Sequence, residues 1–308
     1  MNTSYYQEFT ILAETKNYWE SAERLHMNQS TLSKHIKIME KELGVQLFDR
    51  STRRVELTKY GMALVPYAQS IIQQEAEYAS LLSQMKNQEN GLLVIGSIPA
   101  MAQYGIVNLL SVFQKSHPES NIKTIEEDSQ NLVSLLHSRK CELIFLRESK
   151  LNFVRNYMED KSLIRIPFAC DHLIALLPEN HPLSKKKTLT LQELKDDNFC
   201  MIEEGTFMHD LCMKACHMAG FTPKMTFSSH GIGNIIEMVG SGDHIALLMN
   251  RHVHLLQNTN VPMTHCATVD IIPKIYSQIS LCYLSDAPLS RAAQSFVDFI
   301  QNITLSEQ

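Results

Sequence analysis

The sequence of 308 residues contains no apolar run close to the roughly 20 residues that a bilayer-spanning helix needs. Its N-terminus has no basic segment followed by an apolar one, so we expect no secretory signal. The seven cysteines are an odd number scattered without a framework, which favours reduced thiols in a cytoplasmic protein. Because the net charge is -5, nucleic-acid binding would require a local basic patch.

Motifs of common enzyme classes are also missing. The chain has no G-x-S-x-G nucleophile elbow, no G-x-x-x-x-G-K phosphate loop and no H-E-x-x-H metal motif. We therefore expect no catalytic residue, no metal and no cofactor. A solute-binding module is a minor alternative, since such a protein would need export.

Two N-terminal segments, 5–16 and 19–26, carry apolar residues at helical spacing. They predict two short helices that pack on each other. The residues expected to face inward are Tyr5, Phe9, Leu12 and Ala13 in the first helix and Trp19, Ala22 and Leu25 in the second.

The stretch "NQSTLSKHIKIMEKELGVQLFDRSTRR" (28–54) predicts a third helix followed by a small hairpin. Asn28 is a favourable N-cap residue, and Gly44 is a natural residue to end the helix. Alternation near Val55 and Leu57, around a basic turn, predicts a two-stranded wing. The residues expected to face inward from the third helix are Leu32, Ile36, Met39 and Leu43.

Residues 28–59 contain seven basic and four acidic side chains, a local charge of +3 in an acidic chain. Exposed lysines most often form a solvated surface, but the order helix, turn, helix and basic wing favours DNA. Small polar residues at the start of a helix can approach base edges in a major groove, and wing arginines can contact the backbone. The candidate DNA-binding residues are Asn28, Gln29, Ser30, Thr31, Ser33, Lys34 and Lys37 on the helix and Arg50, Arg53 and Arg54 on the wing.

A long helix is predicted from residue 59 to 88, although Pro66 should kink it or delay its start. About 30 helical residues would extend about 45 Å. Packing on its own domain is one interpretation, but little neighbouring sequence could cover so long a surface, so we favour dimerisation through this helix. The approximate heptad positions are Tyr60, Leu64, Tyr67, Ile71, Tyr78, Leu81 and Met85.

After the linker "NQENG", strands alternate with helices, which predicts parallel sheets with right-handed crossovers. A second β/α set is inserted between the first set and a closing strand and helix, so we expect two α/β lobes joined by crossing segments near 162–168 and 261–270. The expected domains are 1–58 (winged helix-turn-helix), 59–88 (linker helix) and 91–308 (two lobes: lobe I about 91–163 and 268–308, lobe II about 166–262).

The N-terminal region resembles that of LysR-type transcriptional regulators, over about residues 5–75. Segments such as "HPL", "CHMAGFTP" and "MVGSGDHIALLM" extend the resemblance to the C-terminal part. Matching positions are Ser21, Ala22 and Leu25; Asn28, Gln29 and Ser30; Ser33 and Ile36; Met39, Glu40, Leu43 and Gly44; Leu47, Phe48 and Arg50; and Leu57, Thr58 and Gly61. Departures are Ser21 for alanine, Ser30 for proline, and Leu248-Met249 for leucine-proline.

This resemblance implies a sequence-specific regulator that binds a double-stranded operator and is controlled by a small-molecule effector. It implies a periplasmic-binding-protein-like effector domain and a homodimer that assembles further into a homotetramer. RNA polymerase is a further candidate partner, and no membrane partner is expected. The alternative is a nucleoid-architectural protein that binds DNA without a ligand.

Ligands of open α/β sheets bind beyond the carboxyl ends of the strands. In the resembled family, the segments that follow these strand ends line the effector cleft. The hydroxyls and backbone N–H groups there suit a carboxylate, and Arg147 would supply positive charge unless it pairs with Glu148. His230 is either a ligand contact or a residue of a helix cap. The candidate effector-binding residues are Ser97, Pro99, Met101, Arg147, Glu204, Thr206, Ser229 and His230.

The segment "HDLCMKACH" places His209, Cys212 and Cys216 on one helical face, which would suit a soft metal. Buried cysteines are common in cores, however, and no second ligand pair occurs at fixed spacing, so we do not predict a metal site. Some members of the resembled family sense peroxide through two cysteines here. Cys216 matches the second of these positions, but Phe207 occupies the first, which argues against that mechanism.

Overall fold

The computed structural model describes residues 2–49, 55–89, 91–151, 160–257 and 265–306. The chain divides into two compact units, residues 1–83 and 84–308. No helix in the described part of the chain is long and apolar enough to cross a membrane.

The first unit is a three-helix cluster with a small hairpin and the start of a long helix. A single core, built around Phe9, Leu12, Leu32, Ile36 and Met39, holds these elements together. The elements are α1 (Ser4–Thr15), α2 (Tyr18–Arg24), α3 (Gln29–Leu43), β1 (Phe48–Asp49), β2 (Glu56–Leu57) and α4 (Lys59–Glu89).

Two inward assignments in these helices are wrong. Trp19 is 66% exposed, because the α2 helix begins at Tyr18, which packs on the core in its place. Leu43 is 39% exposed, since it lies in the last turn of α3, directly before Gly44. Gly44 adopts the left-handed conformation expected of a residue that ends a helix.

The predicted wing is present as a pair of short antiparallel strands, with Phe48 opposite Leu57. The α4 helix follows at once and runs without interruption through Pro66, so its start is not delayed. Most of its approximate heptad positions remain exposed in the single chain, namely Tyr60, Tyr67, Tyr78, Leu81 and Met85.

The second unit is built on a ten-stranded sheet with the order β4-β3-β5-β12-β6-β10-β8-β9, while β11 pairs with β6 and β7. A short 3₁₀ helix, Leu191–Leu194, follows β7. The strands are β3 (Leu92–Ser97), β4 (Asn121–Glu126), β5 (Leu143–Glu148), β6 (Leu163–Pro178), β7 (Thr188–Leu189), β8 (Asn198–Ile202), β9 (Lys224–Ser229), β10 (Ile245–Met249), β11 (Cys266–Ile271) and β12 (Tyr276–Leu284). The helices are α5 (Ile106–Ser116), α6 (Ser129–His137), α7 (Phe207–Met218), α8 (Ile232–Gly240), α9 (Asn250–Gln257) and α10 (Arg291–Ser306).

Separate hydrophobic cores define the two lobes of this unit. The 16-residue strand β6 serves both: Ile166 belongs to the lobe I core, and Leu173 belongs to lobe II. Ile275 still packs in lobe II, whereas Ile279 packs in lobe I. Both crossings therefore lie later than the expected 162–168 and 261–270, and β11 belongs to lobe II.

Candidate nucleic-acid interface and ligand cleft

The α3 helix has one buried and one exposed face. Leu32, Ile36 and Met39 are fully buried, and they fix the helix on the core of the first unit. The opposite face presents five of the candidate DNA-binding residues to solvent, namely Asn28, Gln29, Ser30, Lys34 and Lys37, with Thr31 and Ser33 half-buried.

The N-terminus of α3 is left open. Asn28 has the extended backbone of an N-cap residue, but its side chain makes no capping hydrogen bond. The first-turn N–H groups of a helix lack helical acceptors and favour a phosphate. A polar side chain and uncapped N–H groups thus lie together at this end of the helix.

A buried carboxylate fixes the wing relative to α3. Glu40 is largely buried, and its Oε1 accepts hydrogen bonds from the backbone N–H groups of Leu47 at 2.9 Å and Phe48 at 3.2 Å. Thr58 then begins α4 by accepting from the N–H of Gly61 at 3.1 Å. The candidate residues Arg50, Arg53 and Arg54 lie outside the described residues.

A second buried carboxylate links α1 to α3. Both oxygens of Glu8 lie 2.9 Å from Nδ1 of His35. Ser21, which departs from the resembled pattern, is also accommodated: its hydroxyl donates to the carbonyl oxygen of Asn17 at 2.7 Å and lies 2.6 Å from the Thr15 hydroxyl.

The candidate effector residues of lobe I differ in their exposure to solvent. Ser97 and Arg147 are buried on the same face of the sheet, since Ser97 pairs with Phe145 and side chains alternate along a strand. Met101 is part of the lobe I core and offers little surface to a ligand, whereas Pro99 is exposed.

The Arg147 guanidinium lies in a buried polar network instead of a salt bridge. Its Nη1 donates to the Ser277 hydroxyl at 3.1 Å, its Nη2 lies 3.4 Å from Nε2 of His252, and its Cζ lies 4.8 Å from the Tyr104 ring centroid. The expected alternative is wrong, because Glu148 pairs with Arg165 at 3.0 Å. Within the described residues no carboxylate lies within 4 Å of Arg147, which is 3% exposed.

Tyr104 extends this network to the other lobe. Its hydroxyl donates to Asp171 at 2.6 Å, and the same carboxylate oxygen accepts the N–H of Arg251 at 3.1 Å. Burial raises the pKa of Tyr104, and burial together with the Arg147 charge lowers the pKa of His252 well below its usual value. Among the described residues, the Ser97 hydroxyl and Nδ1 of His252 are buried without a hydrogen-bond partner.

The lobe II candidates form a second group. The Thr206 hydroxyl caps α7 by accepting from the His209 N–H at 3.2 Å and donates to the carbonyl oxygen of Glu203 at 2.8 Å. The exposed His230 lies 2.9 Å from the Glu203 carboxylate, and Ser229 accepts from the Gly231 N–H at 3.2 Å. Glu204 is exposed beside them. The structure therefore groups these four candidates at the N-terminal ends of α7 and α8.

Sequence reasoning missed the residue that joins α6 to α7. One oxygen of Asp128 accepts the Gln130 N–H at 3.2 Å in lobe I, and the other accepts the Phe207 N–H at 2.8 Å in lobe II. An aspartate directly before a helical pattern is a capping signal, so its first contact was predictable. The second contact joins positions that are 79 residues apart.

His209 and Cys212 of α7 have partners within the protein. Nδ1 of His209 lies 3.1 Å from the Ile202 carbonyl oxygen, and the Cys212 thiol contacts the Leu247 carbonyl at 3.6 Å. The described part of the chain contains no group of three or more histidine, cysteine, aspartate or glutamate residues placed to hold a metal. Burial raises the pKa of Cys216 to about 12.

A cavity of about 1290 Å³ lies elsewhere in this unit, between the C-terminal end of α7 and the second crossing. Met218, Ile272 and Tyr276 contribute to its largely apolar lining. None of the eight candidate effector residues lines it. Its lining includes Leu151, at the end of one described range.

Comparisons with known proteins decide the family. The profile of the LysR substrate binding domain matches residues 86–304, and that of the bacterial regulatory helix-turn-helix protein, lysR family, matches residues 6–62. The chain belongs to the LysR family. This LysR-family protein is a DNA-binding transcription regulator with a C-terminal effector-binding domain.

One similar protein is the DNA-binding transcriptional dual regulator OxyR of Escherichia coli (strain K12). It is 27% identical over 248 residues, covering 80% of this chain and 79% of that protein. A full-length OxyR variant from Pseudomonas aeruginosa has a similar fold, with a TM-score of 0.56, 24% identity and coverage of 97% of this chain and 99% of that one. The effector binding domain of QuiR, in complex with shikimate, covers 70% of this chain and 97% of its own, with a TM-score of 0.59 and 17% identity.

Proposed function

We propose that this LysR-family regulator reads its operator through the N-terminal end of α3. The observation that carries the proposal is the open, polar N-terminus of α3 beside a fully buried apolar face. Gln29 has the donor and acceptor groups for bidentate contact with adenine, and Lys34 can reach guanine acceptors or a phosphate. Lys37 and the arginines of segment 50–54 contact the backbone.

The α4 helix joins two copies of the chain. Its aromatic and aliphatic heptad positions are exposed over several turns, and a contiguous apolar stripe of this kind is buried when two such helices pack. Two DNA-binding units then match a pseudo-palindromic operator with half-sites about one helical turn apart. Two such dimers pair to form a tetramer. The regulator acts in the cytoplasm and has no enzymatic activity. RNA polymerase is its protein partner at promoters.

The effector is a small molecule that binds where the strands of the two lobes end. Thr206, Ser229, His230 and Glu204 supply its lobe II contacts. Arg147 stabilises the closed arrangement of the two lobes through its contacts with Ser277 and His252. An effector with different affinities for open and closed lobes shifts the population between them and thereby changes operator binding.

Similarity to OxyR does not extend the peroxide response to this chain. The residue at the start of α7 is Phe207, which cannot act as a thiol. Cys216 is fully buried and its pKa is raised, so almost no reactive Cys216 thiolate forms at neutral pH. We therefore assign the cleft to a ligand and not to an oxidant.

Selection of genomic fragments by the purified protein at physiological salt tests this function. We expect a recurrent, two-fold symmetric site, and we expect Gln29→Ala to bind a broader set of fragments. Gln114→Ala, the same change at an exposed position of α5 in lobe I, is the matched control. Binding without a preferred site would favour the nucleoid-architectural alternative.

A further inference from the structure

One carboxylate holds the N-termini of two helices in opposite lobes. Asp128 precedes α6, and its Oδ1 accepts the N–H of Gln130 at 3.2 Å, as an N-cap residue does. Its Oδ2 accepts the N–H of Phe207, the first residue of α7, at 2.8 Å. This one side chain therefore accepts hydrogen bonds from both lobes.

The Phe207 N–H is a donor that its own helix cannot satisfy. The first-turn N–H groups of an α-helix have no helical acceptor, and the helix dipole favours a negative charge there. The Thr206 hydroxyl already accepts from the His209 N–H, so Asp128 and Thr206 divide these donors between them. The α7 N-terminus therefore already binds a negatively charged group, which is the Asp128 carboxylate of the same chain.

The remaining interlobe bonds described above lie at the crossings. Arg147 contacts His252 of α9, and Tyr104 reaches the Arg251 N–H through Asp171, which is part of β6. By contrast, α6 and α7 both lie outside the crossing segments, and Asp128 connects them directly. Its loss would remove the direct bond between these two helix ends.

We propose that Asp128 is a tethered internal ligand, whose carboxylate occupies the N-terminus of α7 and keeps the lobes together before an effector binds. An effector that carries a carboxylate must displace Asp128 to reach this position. Only that consequence rests on the proposed function, because the contact itself needs neither effector nor DNA.

Two substitutions separate the interlobe bond from ordinary capping. Asp128→Ser keeps a good N-cap residue for α6, but its shorter side chain cannot also reach Phe207. Asp128→Asn keeps the length and one acceptor without the charge. Glu127→Gln, at the neighbouring position, is the matched control, since its contact with Asn131 stays within lobe I.

The test is amide hydrogen exchange of Phe207 in the full-length protein, free of DNA. We expect exchange to accelerate about tenfold or more in Asp128→Ser, as befits a lost charge-assisted hydrogen bond, and less in Asp128→Asn. Glu127→Gln should match wild type. The other N–H groups of α6 should exchange at the wild-type rate in Asp128→Ser, because serine still caps that helix.

Equal exchange of Phe207 in wild type and Asp128→Ser would overturn the proposal. So would equal acceleration of exchange throughout α6, since that would assign Asp128 to the integrity of α6 alone. Failure to find an operator or effector would leave this measurement unaffected.

Discussion

Gly61 of the α4 helix lies against the main chain of Leu47. A Cβ atom at position 61 would stand 2.2 Å from the Leu47 carbonyl oxygen and 2.8 Å from the Leu57 side chain. Leu47 precedes the first wing strand and Leu57 ends the second, so this contact fixes the wing against α4. Only glycine permits so close an approach.

Gly61→Ala should therefore displace the wing and destabilise the first unit. Overpacking against backbone atoms that cannot rotate away costs about 2–3 kcal/mol. Trp19, the one tryptophan of the chain, reports on this unit, so its fluorescence during urea unfolding should show an earlier transition.

Gly233→Ala is the matched control for this substitution. Gly233 lies in α8 of the second unit, and nothing lies within 4 Å of the Cβ position. Alanine there should stabilise the helix by about 0.5–1 kcal/mol and leave the Trp19 transition unchanged. Similar destabilisation by both variants would contradict the proposed close contact.

Glu40→Ala should also release the wing, for an electrostatic reason. It leaves the buried N–H groups of Leu47 and Phe48 without their acceptor, at a cost of about 2–4 kcal/mol in free energy of unfolding. Glu40→Gln retains an acceptor oxygen and should lose markedly less. Equal losses from the two variants, measured by urea unfolding, would mean that the charge matters and the hydrogen bonds do not.

Local signals in the sequence predicted the helices of the first unit well. Gly44 ends α3 as expected, and the buried positions Leu32, Ile36 and Met39 follow the helical period. The phase of α2 was misjudged at Trp19, because seven residues give too few repeats to fix which face is buried.

The contacts of the cleft were less predictable, because they depend on how distant segments meet. The crossings lie later than expected, since β6 is one continuous strand that begins in lobe I at Leu163 and runs on into lobe II. No local pattern distinguishes Arg147 bonded to Ser277 from Arg147 paired with Glu148. The contact of Asp128 with Phe207 joins residues 79 positions apart in the sequence and in different lobes, so no local pattern indicates it.

Lys37→Ala should weaken operator binding for a reason different from Gln29→Ala. Lys37 is an exposed cation on the outer face of α3, so its loss should reduce affinity for every sequence. The slope of log affinity against log salt concentration should fall by about 1 for each DNA-binding unit, which is about 2 for a dimer. Gln29→Ala should leave that slope unchanged, and titrations of one labelled operator between low and physiological salt would distinguish the two. An unaltered slope in Lys37→Ala would exclude a phosphate contact.

A charge on the exposed stripe of α4 should separate the dimer. Tyr78 is 55% exposed, and Tyr78→Glu would bring like charges together wherever two α4 helices pack. Ala76→Glu adds the same charge on a different face of the helix and is the matched control. Analytical ultracentrifugation should show a smaller species for Tyr78→Glu alone. If both variants keep the wild-type mass, the dimer does not form through this stripe.

The seven thiols should react very unequally under native conditions. Cys170 is exposed, whereas burial raises the pKa of Cys141 and Cys200 to about 11 and of Cys216 and Cys282 to about 12. A thiol with so high a pKa has almost no thiolate at neutral pH, and the thiolate is the species that reacts with maleimide or peroxide. Brief maleimide treatment should therefore modify Cys170 first, and Cys170→Ser should abolish that fast phase.

Peroxide should leave operator affinity unchanged in the wild-type protein and in Cys170→Ser. Mass spectrometry that found a sulfenate or disulfide at Cys216 would restore a thiol-based response in this chain.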